Sequence, residues 1–220
     1  MTAAEMYQRF KYYTNTVFDN TFTEFEPEEV ELALNDYQIT FVKERYGLRN
    51  MTQHSVEETQ KRTDDLRALF KVATPAPAAP AANRPNSKDI ALPGDYLFSI
   101  SEIATIVYTG CTGKRVPVEI ITHDELSVSL VNPYKKPNKR KCLRFMEGDT
   151  IVVFHGSGIT LQSYELSYIS NPSAISILNG VDCMLPVHTH DEIVKGAAQL
   201  AISLIGDARK PPVNLTSLQE

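Results

Sequence analysis

At 220 residues the chain can bury a sizeable core, and 42% hydrophobic against 22% charged residues places it outside the disordered and membrane classes. The formal charge of −5 excludes a general nucleic-acid coat, which shows as a basic surplus, but leaves room for a local basic patch. Cys111, Cys142 and Cys183 match neither a disulfide framework nor a zinc pattern, and no apolar run suits secretion or a bilayer, so the expectation is reduced thiols and a protein that stays in a cytoplasm.

Taken in chain order, residues 3–14 carry Met6, Phe10 and Tyr13 at helical spacing and predict a short first helix. A second helix opens at Pro27 with Glu28, Glu29 and Glu31 on its N-terminal dipole, shows Val30, Leu34, Tyr37 and Phe41 on one face, and stops before Gly47. A third opens with Ser55 and Glu58 as a capping box and has only a thin apolar face, Val56, Leu66, Leu69 and Phe70. Residues 1–72 are therefore read as a helical segment. Residues 73–91 follow as a Pro/Ala-rich arm or linker, because four prolines in 73–87 can neither continue a helix nor donate to a ladder.

From Leu92 the period changes to that of strands: Tyr96–Tyr108, Val116–Thr122, Ser127–Val131, Cys142–Met146, Thr150–His155 and Ile159–Ile169. Gly110, Gly113, Asn132-Pro133, Gly148-Asp149 and Gly156-Ser157-Gly158 supply the turns. The links look too short for parallel crossovers, so residues 92–186 are expected to form an antiparallel β-rich region. A last helix spans 187–206, with Thr189 and Glu192 as its capping box and Ile193, Ala197, Leu200, Ala201 and Leu204 as a small apolar face suited to packing on the N-terminal helices. Residues 207–220 read as a polar tail. The fold class is α+β, with helical N- and C-terminal segments packed together around an antiparallel β-rich middle.

No enzyme signature emerges, and no catalytic, cofactor-binding or metal residue is assigned. His188-x-His190 flanks a helix start without a third ligand, and its plain reading is a helix entry with His188 as a staple against Ile193. Gly110-Cys111-Thr112-Gly113-Lys114 lacks the earlier glycine and the Ser or Thr of a phosphate loop, and Cys142 has no base partner in sequence. The informative stretch is 132–147, where Lys135, Lys136, Lys139, Arg140, Lys141 and Arg144 stand against Glu147 alone. Its local charge of +5 suits phosphates or an acidic protein surface, although an inert solvated hairpin tip explains it equally well. Residues 1–72 hold thirteen acidic and nine basic residues, so a copy of the chain can offer its acidic end to a neighbour's basic segment.

Four segments in succession carry a resemblance. ALNDYQITFVKERYG (33–47) with EETQKRTDDLRALF (57–70), LPGDYLF (92–98), HDEL (123–126) with NPYKKPNKR (132–140), and YISNPSAI (168–175) with LPVHTHDEIVKGAAQLAI (185–202) resemble the ring proteins of the head-to-tail region of crAss-like bacteriophages. The resemblance spans nearly the whole chain. It implies a non-enzymatic virion protein, assembled in the host bacterial cytoplasm, that oligomerises into a ring, twelvefold, beneath the portal. Portal protein, other ring or tail proteins and packaged DNA are the implied partners, with no membrane. It also implies helical ends like those of head-to-tail adaptors, with the β-rich part inserted. The alternative is a soluble nucleic-acid-binding adaptor that uses the basic 132–144 loop.

Overall fold

The structure, a computed structural model, describes residues 1–15, 25–48, 60–79 and 84–208. It is α+β, with helices at both ends and a curled mixed sheet of seven strands between them. Two compact units divide the chain. One contains residues 1–69 and 172–220, the other residues 70–171.

In the first unit, α1 (Ala3–Asn15) starts with a reciprocal pair in which the Glu5 N–H donates to Thr2 Oγ1 and the Thr2 N–H to Glu5. Helix α2 (Pro27–Lys43) begins at the expected proline, with the Glu29 carboxylate accepting the Glu26 N–H. It runs on into a π-helical turn, Glu44–Leu48, so Gly47 does not terminate it. The described part of α3 is Gln60–Leu66; the expected Ser55–Glu58 capping box lies outside the described residues. Helix α5 (Val187–Ala208) starts two residues before Thr189. The Thr189 hydroxyl therefore donates back to the Pro186 carbonyl at 2.8 Å and does not cap.

Side chains of α2 also hold the extended segment that precedes α5. Asn35 Nδ2 donates to the Ile175 carbonyl at 3.0 Å and Asn35 Oδ1 accepts the Ile175 N–H at 2.7 Å, completing a bridge as a strand would. One turn earlier, Glu31 accepts the N–H groups of Ile177 and Leu178 at 2.5 and 2.9 Å. Residues 172–186, expected to end the β-rich region, thus lie with the helices. On α5, Arg9 and Tyr13 of α1 both reach Asp191 at 2.9 Å, and Gly196 receives the Tyr37 ring of α2. A Cβ at Gly196 would fall inside that ring's van der Waals envelope.

The second unit is the sheet, in the order β1-β7-β3-β4-β5-β6-β2. Its strands are β1 (Phe70–Ala73), β2 (Ser87–Ala91), β3 (Tyr96–Tyr108), β4 (Cys111–Ile120), β5 (Cys142–Glu147), β6 (Thr150–Phe154) and β7 (Ile159–Ser170). β1 and β2 come from segments read as helix and linker, because four or five residues give too short a pattern to show a period. The Pro/Ala tract is partly tied down: the Ala78 N–H donates to the Asp89 carbonyl at 2.7 Å and covers part of the outer edge of β2. β1 pairs with β7, so the strands where the chain enters and leaves this unit are neighbours. That is the topology of an insertion between helices.

One expectation about the sheet is corrected. β4 and β5 run parallel, with Val118, Glu119 and Ile120 opposite Cys142, Leu143 and Arg144. The connection is residues 121–141, and Ser127–Val131, expected as a strand, is helix α4 (Leu126–Val131). A parallel pair needs a crossover of about a dozen residues or more, and this link supplies it. β4 pairs with β3 through Pro117 and with β5 from Val118 onward, so it is the corner at which the sheet curls.

The curl encloses a core that includes Ile90, Ala104, Ile106, Cys142, Ile151, Val153, Leu161, Tyr164 and Leu166. Residues of β5 and β6 alternate between two apolar surroundings: Cys142, Ile151 and Val153 join this core, whereas Leu143, Phe145, Val152 and Phe154 pack with Ile121 and with Leu126 and Leu130 of α4. Burial on both faces explains their near-continuous apolar runs. A register shift between Thr105 and Ile106 against β7 allows both Leu161 and Tyr164 to face inward despite their odd spacing.

Two consequences are measurable. Gly196→Ala should lower the stability of the helical unit by about 1–3 kcal/mol through overpacking, and Tyr37→Ala in the same chain should cancel much of that loss in a double-mutant cycle. The Leu178 N–H, together with the Ile177 N–H and the Ser176 hydroxyl, holds the Glu31 carboxyl below its usual range near 4.5. A depressed carboxyl stabilises above its unfolded pKa and loses that contribution as pH falls through its folded value. The melting-temperature advantage of the wild type over Glu31→Gln should therefore be present at neutral pH and vanish in acid.

Candidate functional site

The basic segment runs through the second half of the β4–β5 crossover into β5, and within it Asn138 and Lys141 form an isolated antiparallel bridge with Lys139 and Arg140 at its exposed tip. Ile120 ends β4, and the Ile121 N–H donates to the Arg144 carbonyl at 2.9 Å. The His123 ring packs edge-on against Phe145, and its Nε2 lies 2.9 Å from the Met146 carbonyl. These contacts anchor the start of the crossover on β5. Leu126 and Leu130 then fix the inner side of α4.

Asn132 shapes the exit from α4. Its carbonyl accepts the N–H groups of Lys135 and Lys136, and its side-chain oxygen accepts the Tyr134 N–H at 2.9 Å. Asparagine does this readily because its side chain imitates a backbone turn. Asn138 repeats the device two residues ahead of Arg140. Between them Pro137 is buried against Gly156, where a Cβ would come within 3.2 Å of the Pro137 carbonyl and closer still to Ile159.

The six predicted cations separate into three environments. Lys135, Lys136, Lys139 and Arg140 are exposed, and among the described residues no carboxylate forms an ion pair with any of them. Lys139 holds its ammonium 4.4 Å from the centre of the Tyr108 ring. Lys141 is half-buried and paired with Glu119 at 2.7 Å. Arg144 turns into the sheet's interior with 3% exposure, and its charge is not presented to a surface.

Arg144 there meets Glu102 of β3 in a two-pronged pair, Nε to Oε2 at 2.7 Å and Nη2 to Oε1 at 2.5 Å. Its Nη2 also donates to Ser99 Oγ at 3.0 Å, and the Tyr164 hydroxyl donates to Glu102 Oε2 at 2.6 Å. Burial and the adjacent carboxylate raise the Tyr164 hydroxyl far above its ordinary pKa, so it remains a donor. Arg144 belongs to the inward row Cys142, Arg144, Met146, and the period-2 rule already places it inside once β5 is known to be a strand. Glu102 and Tyr164 are far away in sequence, and nothing local marks them as its partners.

The remaining candidates have structural roles. Cys142 is buried and its thiol is pushed up to about 11, so it stays protonated near neutrality. His188 lies inside α5, and its Nε2 is 2.9 Å from Asp65, which also pairs with Arg45 at 3.0 Å, while Arg45 reaches Glu192. His190 is buried with Nε2 2.7 Å from the Leu185 carbonyl. Among the described residues no group of His, Cys, Asp or Glu side chains could hold a metal, and no helix is long and apolar enough to cross a membrane. Thr109-Gly110 is the hairpin turn joining β3 to β4, with φ of 88° at Gly110, and Cys111 opens β4 opposite Tyr108.

The feature that sequence reasoning missed adjoins the cations. Opposite Leu126 and Leu130, α4 and its following turn present Val128, Val131 and Tyr134 at 63%, 82% and 89% exposure, in a shallow groove with Ser127, Asn132 and Pro133. Read as a helix, Ser127–Val131 shows Val128 and Val131 three apart on one face. The chain thus joins an exposed apolar face to four exposed cations on one short connection. The model of the phage tail ring protein 3/4 family matches residues 1–209. The chain belongs to this family. It is a tail ring protein of crAss-like phages, and no curated protein matches it. In this ring protein the Arg144–Glu102 pair is buried inside the β unit, whereas Lys135, Lys136, Lys139 and Arg140 are exposed.

That division is testable by substitution. Glu102→Gln or Arg144→Met should cost about 3–5 kcal/mol, since each leaves a buried partner uncompensated. Lys136→Glu on the exposed segment should shift stability by no more than about 0.5 kcal/mol. Urea melts of the three variants check both statements.

Proposed function

We propose that this tail ring protein forms a closed ring, twelvefold, at the head-to-tail junction of the virion, where it links the portal to the tail and surrounds the channel through which DNA passes. Its role in this reading is structural and not catalytic. The supporting observation is the family match over residues 1–209, joined to a surface that combines apolar exposure with unneutralised positive charge in a chain of net charge −5. A monomer with Val131 and Tyr134 largely in water carries the kind of contiguous apolar patch that marks a protein contact. In this arrangement the helices of the first unit pack side by side around the ring, and the sheet and the Pro/Ala arm reach toward neighbouring copies, portal protein and other tail proteins. Assembly takes place in the host bacterial cytoplasm.

A second reading is favoured by the exposure of Lys135, Lys136 and Arg140: a nucleic-acid-binding adaptor that contacts phosphates through residues 132–144 without building a ring. The two differ in what the purified chain does. Native mass spectrometry and negative-stain imaging, with and without portal protein as template, should show a closed oligomer of twelve copies. A chain that stays monomeric under both conditions, yet binds duplex DNA with an affinity that falls steeply with salt, would replace the ring with the adaptor.

A further inference from the structure

The exposed face of α4 has an apolar centre and a basic rim. Val128, Val131 and Tyr134 form the centre, Lys135 and Lys136 follow directly along the chain, and Arg140 lies in the next turn, past the buried Pro137. Phosphate binding would use the rim but has no use for the centre, since a nucleic-acid backbone offers charge and sugar and little that rewards two exposed valines. Protein interfaces have the opposite anatomy, a desolvated apolar core inside a polar, charged margin. The chemistry therefore selects a protein surface with an apolar residue at its middle and carboxylates around it.

The chain itself carries such a surface on α2. Val30, Ala33, Leu34, Phe41 and Val42 are turned into the helical unit, while Leu32 stays 65% exposed. Glu28 and Glu29 precede Leu32 by four and three residues and Asp36 follows it by four, so all three lie on the same side of the helix. Each is exposed. Glu31, at the margin of this face, holds the backbone of Ile177 and Leu178, and Leu178 is itself 62% exposed. α2 thus presents Leu32 within an acidic rim, with Leu178 of the neighbouring segment next to Glu31, the electrostatic complement of α4.

We propose that α4 and the turn after it, in one copy of the chain, dock on the exposed face of α2 in the next copy. Val131 and Tyr134 pack on Leu32, and Lys135, Lys136 and Arg140 face Glu28, Glu29 and Asp36. The proposal rests on the ring reading above and names the surfaces that would make it. Because the two patches differ, the contact is heterologous: each copy donates one face and accepts with the other, the arrangement that generates a ring when its rotation closes. The apolar centres hold the contact, and the charged rims set partner choice and orientation.

The test uses the full chain in sedimentation and native mass spectrometry over a range of concentrations. Lys135→Glu with Lys136→Glu sets like charges against each other and should weaken self-association roughly tenfold or more; adding Glu28→Lys with Asp36→Lys to the same chain should return most of it. As a second measurement, an equimolar mixture of Leu32→Cys and Val131→Cys chains should form a disulfide between copies under mild oxidation. A wild type that assembles, with the charge reversal neutral or the swap failing to restore it, overturns this docking and leaves the ring intact. Unchanged assembly together with loss of salt-sensitive duplex-DNA binding assigns the basic rim to DNA and overturns it likewise. A wild type that is monomeric and yields no cross-link overturns both the docking and ring formation by the chain alone.

Discussion

The buried pair between Glu102 and Arg144 is the interaction on which the β unit depends. Its members lie on β3 and β5, two strands apart in the sheet order, yet the guanidinium grips the carboxylate with two hydrogen bonds. That is possible only because β4 leaves β3 after Pro117 and joins β5 at Val118, folding the sheet over its own core. Tyr164 from β7 and Ser99 from β3 occupy further hydrogen-bonding positions around the pair, which limits the desolvation cost of taking two charges out of water. A pair of this kind adds little net stability over an apolar substitute. Breaking it is costly all the same, because either substitution leaves one charge buried without its partner.

The curl then dictates what the crossover can offer. With β5 running parallel to β4, residues 121–141 must travel back along the sheet, and α4 covers the outer faces of Leu143, Phe145, Val152 and Phe154. A six-residue helix has room for one inward side, supplied by Leu126 and Leu130. Its remaining apolar residues, Val128 and Val131, are left outward beside Tyr134 and the lysines. The same geometry that buries Arg144 exposes Lys135, Lys136 and Arg140, and so converts one continuous basic run into an internal fastener and an external patch.

In the helical unit the equivalent economy is local. Asn35 and Glu31, one turn apart on α2, satisfy the backbone of the extended segment from Ile175 to Leu178, which has only an isolated bridge of its own. Gly196 admits the Tyr37 ring where any side chain would meet it. Tyr37 is thereby turned inward, and Glu28, Leu32 and Asp36, which adjoin the Glu31 and Asn35 side of α2, are exposed.

How much of this could be read from the chain varies by element, for physical reasons. Pro27 and the glutamates after it marked α2, the apolar spacing from Ile193 marked α5, and Gly110, Gly148 and Gly156–Gly158 marked three hairpins, because each signal is local and acts within a few residues. The basic run was visible for the same reason, as was the succession of segments that pointed to a phage ring protein. β1 and β2 were too short to show a period. Ser127–Val131 is β-branched enough to imitate a strand, and only its place between parallel neighbours makes it a helix. By itself, then, the sequence determined the helical ends, most of the strands and the charge of the 132–147 segment. Tertiary structure alone decided which of those charges are inside, since the carboxylate that claims Arg144 lies 42 residues upstream and the cavity that receives it exists only once the sheet has curled.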